Sequence, residues 1–112
     1  MSVEQLNVVD VISTDKESGE VILTISDHLD WSNTVAHQTA LHEKFNKYLA
    51  FVESGEILTR YPDARNRPVV IKVVFKHKPD PEALRFLARA KEVIESAGYS
   101  LRSEIFAESF DN

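Results

Sequence analysis

The segment DHLD at residues 27–30 is the densest polar cluster in the chain, and it follows a predicted strand. His77 follows a second predicted strand, and Asp80 comes shortly after it. If the two strands run parallel, these side chains emerge at one edge of a sheet, where ligands usually bind in sheets with crossover connections. An imidazole beside carboxylates can act as a general acid or base, or bind a divalent metal. The candidate ligand-binding residues are Asp27, His28, Asp30 and His77.

These residues also have a simpler structural interpretation, which we favour. An Asp at a helix start accepts hydrogen bonds from the first free amides, so Asp30 and Asp80 can cap two helices while the histidines are solvated. The three glycines, at positions 19, 55 and 98, are too far apart for a phosphate-binding loop. No serine lies in a G-x-S-x-G context. We therefore assign no catalytic residue, no metal ligand and no cofactor.

His37, His42 and the adjacent Glu43 lie within one predicted helix and form a second candidate site. Metal-binding histidines on a helix share a face when they are three or four residues apart. A spacing of five turns them about 140° away from each other, since each residue adds about 100°. The spacing therefore argues against a joint metal site at His37 and His42.

The composition excludes several classes of protein. The 112 residues are 43% hydrophobic and include no cysteine, which rules out thiol nucleophiles, cysteine-based zinc sites and iron–sulfur clusters. The length predicts a single domain over residues 1–112, with a frayed tail at 108–112. No apolar run approaches the about 18–20 residues of a membrane span, and residues 1–20 are acidic, unlike a signal peptide. We expect a cytoplasmic protein that does not bind membranes.

Apolar alternation predicts the strands that position the polar cluster. Residues 6–12 and 20–27 predict a β-hairpin with a loop of about six residues. The segment 68–76 is the strongest strand in the chain, residues 56–61 can form a short strand, and residues 99–107 predict the last one. The predicted core face of the strand at 68–76 is Val69, Ile71, Val73 and Phe75. In the strand at 20–27, Val21, Leu23 and Ile25 point to one side.

Two amphipathic helices are predicted between these strands. The first begins after a cap at Asp30 or Ser32 and ends near Ser54. The second begins at Asp80, which is followed by a proline, and ends at Gly98. The predicted apolar face of the first helix is Val35, Leu41, Phe45, Tyr48, Leu49 and Val52. That of the second is Leu84, Leu87, Ala90, Val93 or Ile94, and Ala97.

The order of elements is therefore β-β-α-(β)-β-α-β, where the strand in parentheses is the short one. Each helix has one apolar stripe, so both helices should pack on one face of a single sheet. The opening hairpin is antiparallel, whereas the crossover through the second helix makes the last two strands parallel. We predict an α+β two-layer sandwich with a mixed four- to five-stranded sheet.

The net charge of −5 hides an uneven distribution along the chain. Residues 1–59 carry a net charge of −7, residues 60–91 carry +6, and residues 92–112 carry −4. The basic stretch spans a loop, a strand and a helix, and the overall acidity disfavours a phosphate-backbone binder, so we expect no nucleic acid as a partner. Opposite charges on one small domain favour self-association or a charged protein partner.

Five segments carry a family resemblance. They are VDVIS, KESGEVILTISDHLDW, KYLAFVESGEI, YPDARNRPVVIKVVFKHKP and ESAGYSL, which together span most of the chain. In these segments the chain resembles a family of small bacterial proteins that carry one domain of unknown function. The resemblance implies a bacterial origin and a freestanding α+β domain. It implies no activity, cofactor or catalytic residue.

We hypothesise a non-catalytic interaction domain that forms a homodimer or binds a protein partner. Its interface would be the sheet face away from the helices, which is half apolar and half charged. The candidate interface residues are Val70, Lys72, Val74 and Lys76. Two alternatives stay open: an immunity-type antitoxin that binds a basic toxin, and a small-ligand or metal-dependent enzyme site near His28 and His77.

Overall fold

Alternating apolar residues build the two central strands, β2 (Val21–Asp27) and β3 (Val69–Phe75). The predicted core face of β3 is buried, and so is the side of β2 that carries Val21, Leu23 and Ile25. The computed structural model describes residues 11–106, in which β2 and β3 run parallel at the centre of a four-stranded sheet. The strands β1 (Val11–Thr14) and β4 (Ser100–Ile105) flank them, in the order β1-β2-β3-β4.

The outer strands give the sheet its mixed character. As predicted, β1 is antiparallel to β2, the loop between them spans residues 15–20, and β4 is parallel to β3. The strand predicted at residues 6–12 overlaps β1, which continues to Thr14. Residues 6–10 of that prediction lie outside the described part of the chain, and so do Ala107 and the tail predicted at 108–112.

The long helix α1 (Thr34–Glu53) begins later than predicted. The side chain of Asn33 caps it by accepting a hydrogen bond from the amide of Ala36 at 3.1 Å. The cap predicted at Asp30 or Ser32 is therefore wrong. The reason is local, because the carboxylate of Asp30 already accepts hydrogen bonds from both the amide and the hydroxyl of Ser32.

The buried face of α1 is rotated from the predicted one at its start. Val35, predicted to be apolar core, is 75% exposed. It precedes His37 by two residues, which places it about 200° around the helix from the buried side. The buried residues of α1 are His37, Leu41, Lys44, Phe45, Tyr48 and Phe51. Two titratable residues, His37 and Lys44, are thus buried in the interior.

Residues 56–61, predicted as a short strand, form a helix instead. Gly55 ends α1 with a φ of 85°, and α2 (Glu56–Arg60) follows it directly. Ile57 is buried in the core, and its carbonyl oxygen accepts a hydrogen bond from the amide four residues later at 2.7 Å. The apolar residues Ile57 and Tyr61 are four positions apart, a spacing that fits a helix better than a strand. A 3₁₀ turn at residues 62–64 then leads to β3.

The second long helix, α3 (Pro81–Ser96), begins at the predicted cap. Asp80 Oδ1 accepts a hydrogen bond from the amide of Ala83 at 2.8 Å. Asp80 Oδ2 accepts one from the hydroxyl of Thr34 at 2.7 Å, which joins the N-termini of α1 and α3. Within the predicted apolar face, Leu87 and Ile94 are buried, whereas Leu84 is 54% exposed and Val93 is 61% exposed.

Both long helices pack against the same face of the sheet and share one core with it. The fold is therefore the α+β two-layer sandwich predicted from the sequence, with four strands in the described part of the chain. Within residues 11–106, no helix has the length and the apolar character needed to cross a membrane.

Candidate functional site

Asp27 is the last residue of β2 and points into the core. It continues the inward-facing row of Val21, Leu23 and Ile25, because every second side chain of a strand lies on the same face. Asp27 is 2% exposed, and so is His37, which faces it from α1. A buried carboxylate is costly unless it is paired, so the site is defined by what these two side chains contact.

The hydrogen-bond partners of His37 show which of its ring nitrogens donates. Nε2 of His37 lies 2.5 Å from Oδ2 of Asp27, and Nδ1 lies 3.0 Å from the backbone carbonyl oxygen of Asp30. A carbonyl oxygen can only accept, so Nδ1 carries a hydrogen and donates it. The contact between Nε2 and Oδ2 is a second hydrogen bond, which joins the imidazole to the carboxyl group. The second oxygen of Asp27 accepts from the amide of Leu29 at 3.1 Å.

Trp31 closes this pair from one side. Its ring stacks on the ring of His37, with centroids 3.6 Å apart and planes at 16°. It also packs against Phe75 at a centroid distance of 5.9 Å. Its Nε1–H donates a hydrogen bond to the carbonyl oxygen of His77 at 3.2 Å. Trp31 thus links the segment before α1 to the end of β3 and shields the buried pair.

The geometry of the pair decides what chemistry it can do. The side chains of His37 and Asp27 are 1% and 0% exposed, respectively. Both ring nitrogens of His37 are engaged, whereas a general base needs a nitrogen within hydrogen-bond reach of a substrate. The pair therefore has a structural role: it links the end of β2 to the first turn of α1.

Two further carboxylates, the exposed Asp30 and the half-buried Asp80, stabilise local structure. The hydroxyl and the amide of Ser32 both donate hydrogen bonds to Asp30 and hold the pKa of that carboxyl below its usual value. The hydroxyl makes the larger contribution. The hydroxyl of Thr34, and then the amide of Ala83, lower the pKa of Asp80 in the same way. Both groups are ionised at neutral pH. Asp80 caps a helix as predicted, while Asp30 closes the turn before α1.

His28 and His77 follow parallel neighbouring strands and emerge at the same edge of the sheet, as the ligand-site hypothesis requires. Both are solvent-exposed. His77 lies close enough to Asp30 to contribute to the lowering of its pKa. The structure thus brings Asp27 and Asp30 together around His37, which the sequence did not assign to this site.

The candidate interface residues lie on the sheet face away from the helices, here called the open face. In β3 it carries Val70, Lys72, Val74 and then Lys76. Val70 is 1% exposed and offers no surface to a partner. Lys72 Nζ lies 3.1 Å from Glu104 Oε1, Val74 is half-buried, and Lys76 is exposed. Val74 and Lys76 border a hollow of about 300 Å³, which is also lined by Ser26, Asp27, His28 and Phe106.

The other histidine pair is separated, as its spacing indicates. His37 is buried, whereas His42 is exposed and accepts a hydrogen bond from the amide group of Asn46 at 3.2 Å. In the part of the chain that the structure describes, no three His, Asp or Glu side chains come close enough together to hold a metal ion. The described residues therefore give no support to the metal-dependent form of the enzyme hypothesis.

The model of a family of unknown function, DUF6572, matches residues 1–107. The chain belongs to this family. No curated protein and no solved structure matches it. Family membership agrees with the resemblance seen in the sequence and assigns no activity, so the function has to be argued from the geometry of this domain.

The burial of three titratable residues was missed from the sequence, although a signal for each was present. His37 lies four residues before Leu41, in phase with the buried face of α1, and Asp27 is in phase with the buried row of β2. Lys44 lies on the same helical face and is 0% exposed. Its ammonium lies 5.4 Å from the centroid of the Tyr48 ring, within cation–π range. Periodicity alone would have placed all three inside.

Proposed function

We propose that this domain is a non-catalytic protein-interaction module that binds an acidic segment of a partner protein at the carboxyl end of the open face. The observation that carries the proposal is the hollow beside Val74, where Phe106 is 51% exposed. Exposed apolar residues rimmed by polar ones are typical of protein-binding surfaces. The sealed Asp27–His37 pair supports a binding role over a catalytic one.

The charges around the hollow indicate the chemistry of the partner. Among residues 11–106, Lys76 has no carboxylate partner, whereas Lys72 and Arg102 are paired with Glu104 and Glu20. Lys76 can therefore attract a carboxylate of the partner, while Val74 and Phe106 receive a neighbouring apolar side chain. The same lysine disfavours a basic toxin as the ligand of this face, because like charges repel.

The proposal can be tested with peptides displayed on phage. We expect the selected sequences to carry Asp or Glu beside Leu, Phe or Trp. A synthetic copy of one selected peptide is then titrated calorimetrically into the wild type and into the Val74→Lys and Lys76→Glu variants. Each substitution should weaken binding about tenfold, equivalent to about 1.4 kcal/mol.

Lys47→Glu is the matched control, because Lys47 is exposed on α1 and the charge change is the same as for Lys76→Glu. It should leave peptide affinity unchanged. Selected peptides without carboxylates, or peptides that bind equally to the Val74→Lys variant, would show that the open face is not the binding surface.

A further inference from the structure

Within residues 11–106, the outer edge of β4 has no neighbouring strand. In that described part of the chain, β4 pairs with β3 alone, and its register shows no bulge. The amide of Phe106 donates to the carbonyl oxygen of Phe75 at 2.7 Å. The even-numbered residues of β4 therefore point their backbone N–H and C=O groups towards β3. The backbone N–H and C=O groups of Leu101, Ser103 and Ile105 therefore point outward. Natural proteins usually protect such an edge or pair it.

We propose that β4 pairs antiparallel with β4 of a second copy of the chain, about a two-fold axis at Ser103. Ser103 then faces Ser103 of the second copy, and Leu101 faces Ile105. These are the residues whose backbone groups point outward, so their N–H and C=O groups satisfy one another across the axis. Two four-stranded sheets become one continuous sheet, and a closed two-fold dimer results.

The charges of β4 are complementary to themselves in this register. Arg102 lies opposite Glu104 of the second copy, and the same contact repeats on the other side of the axis. These positions form non-hydrogen-bonded pairs, in which side chains approach most closely. Opposite charges in such pairs stabilise antiparallel strands. Within one chain, Arg102 already contacts Glu20 at 2.7 Å and Glu104 contacts Lys72 at 3.1 Å. The dimer therefore joins these pairs into two rows of alternating sign.

The neighbouring registers that satisfy the same backbone geometry are unfavourable. A shift of the two-fold axis to position 102 places Arg102 opposite Arg102, and a shift to position 104 places Glu104 opposite Glu104. Like charges directly opposite each other destabilise strand pairs. The short sequence LRSEI at residues 101–105 thus selects the register centred on Ser103.

The helix side of β4 offers apolar surface for the same contact. Ile105 is 48% exposed, and in the proposed register it lies opposite Leu101 of the second copy. A cleft of about 660 Å³ runs along β4, with Leu84, Leu87 and Leu101 among its lining residues. Because Leu84 is 54% exposed, pairing removes apolar surface from water at this edge.

This dimer goes beyond the proposed peptide-binding function and uses different residues. It also leaves both open faces on the same side of the joined sheet, because the two-fold axis is perpendicular to it. Two peptide-binding hollows would then be displayed together, which favours a bivalent partner. The two proposals can fail separately, since the hollow at Val74 and Lys76 and the edge at Arg102 and Glu104 are tested with different variants.

Charge exchange across the edge tests the dimer. By sedimentation velocity, the wild type should have twice the mass of one chain. Arg102→Glu and Glu104→Arg should each be monomeric, because each creates two like-charge contacts. An equimolar mixture of the two variants should recover the dimer mass, and so should the double variant R102E/E104R in one chain. Lys47→Glu is the control for the change in charge and should remain dimeric. Far-UV circular dichroism checks that every variant folds.

Disulfide trapping tests the register. The chain has no cysteine, so Ser103→Cys introduces a single thiol. In a hydrogen-bonded antiparallel pair the two Cα atoms lie about 5.5 Å apart, which suits a disulfide. Mild oxidation should link the Ser103→Cys variant into covalent dimers, whereas Ser100→Cys, which lies opposite position 106, should not be linked.

A monomeric wild type would overturn the edge dimer while leaving peptide binding to the open face intact. Single charge variants that stay dimeric, or efficient crosslinking of Ser100→Cys, would also overturn it, because the dimer would then use another surface or another register.

Discussion

The buried Asp27–His37 pair gives the sharpest test of the structural argument. Asp27→Ala removes the hydrogen-bond partner of Nε2 of the buried His37 and the acceptor of the partly buried Leu29 amide. Breaking a buried pair by removing one partner costs about 3–5 kcal/mol of unfolding free energy. The lower end of the expected loss is about 2 kcal/mol, which is the cost of the unpaired Leu29 amide and of the lost contact to His37. A domain of this kind has a total stability of about 5–15 kcal/mol, so the loss is large.

Asp27→Asn is the matched variant, because it keeps the shape of the side chain. Its amide oxygen can accept from Leu29, while its amide nitrogen donates to Nε2 of a neutral His37. We expect a cost of about 1 kcal/mol, the difference between a charge-assisted hydrogen bond and a neutral one. The double variant D27L/H37F replaces the pair by apolar groups and should be more stable than D27L alone, since it leaves no buried imidazole nitrogen without a partner.

Urea unfolding measures these differences. Trp31 is the single tryptophan of the chain and stacks on His37, so its fluorescence reports on the site, while far-UV circular dichroism reports on the whole fold. Equal slopes with denaturant concentration show that the variants differ in stability rather than in the surface exposed on unfolding. Equal costs of about 1 kcal/mol or less for Asp27→Ala and Asp27→Asn would refute the reasoning, because such values are typical of solvent-exposed pairs.

Three further predictions follow from the core, a helix end and a cap. Leu23→Ala should cost about 2–5 kcal/mol in the same unfolding assay, because Leu23 is 0% exposed, whereas Leu84→Ala at the exposed position should change the stability of the monomer by less than about 0.5 kcal/mol. Gly55→Ala should cost about 1 kcal/mol through backbone strain alone, since φ is 85° and an added Cβ meets no atom within 4 Å; a neutral effect would contradict this. The hydrogen bonds from Thr34 and Ala83 lower the pKa of Asp80, so its stabilising contribution is complete above the pKa of the unfolded chain and is lost as the pH falls through the lowered folded pKa. The melting temperature of wild type should therefore exceed that of Asp80→Asn at neutral pH, and the difference should shrink on acidification; a constant difference would exclude this linkage.

Local patterns predicted most of the fold. The alternation of apolar residues placed the core faces of β2 and β3, because side-chain direction in a strand has a period of two. Asp80 and the proline after it marked the start of α3, since capping depends on residues within one turn. The prediction failed where another local interaction was favoured. Asp30 is occupied by Ser32 and cannot cap α1. Residues 56–61 were predicted as a strand although their four-residue apolar spacing fits a helix better, and the new helix begins directly after Gly55.

The candidate site was predicted only in part. The sequence placed Asp27, His28, Asp30 and His77 at one sheet edge, and the parallel pairing of β2 with β3 agrees with that placement. It did not connect Asp27 with His37, because the two are ten residues apart and meet only after the chain turns from β2 into α1. The burial of Val70 on the open face had no signal in the strand pattern either.

The sequence by itself determined most of the secondary structure, the two-layer class and the sides of the strands, since these depend on residues close together in the chain. Only the tertiary structure decided which side chains meet. The approach of α1 to the end of β2 seals Asp27 with His37, and the strand order leaves the outer edge of β4 unpaired within the described residues. Both features depend on the packing of segments that are distant in the chain. The free energy of a buried pair or of an open strand edge is set by neighbouring residues that no local sequence pattern specifies.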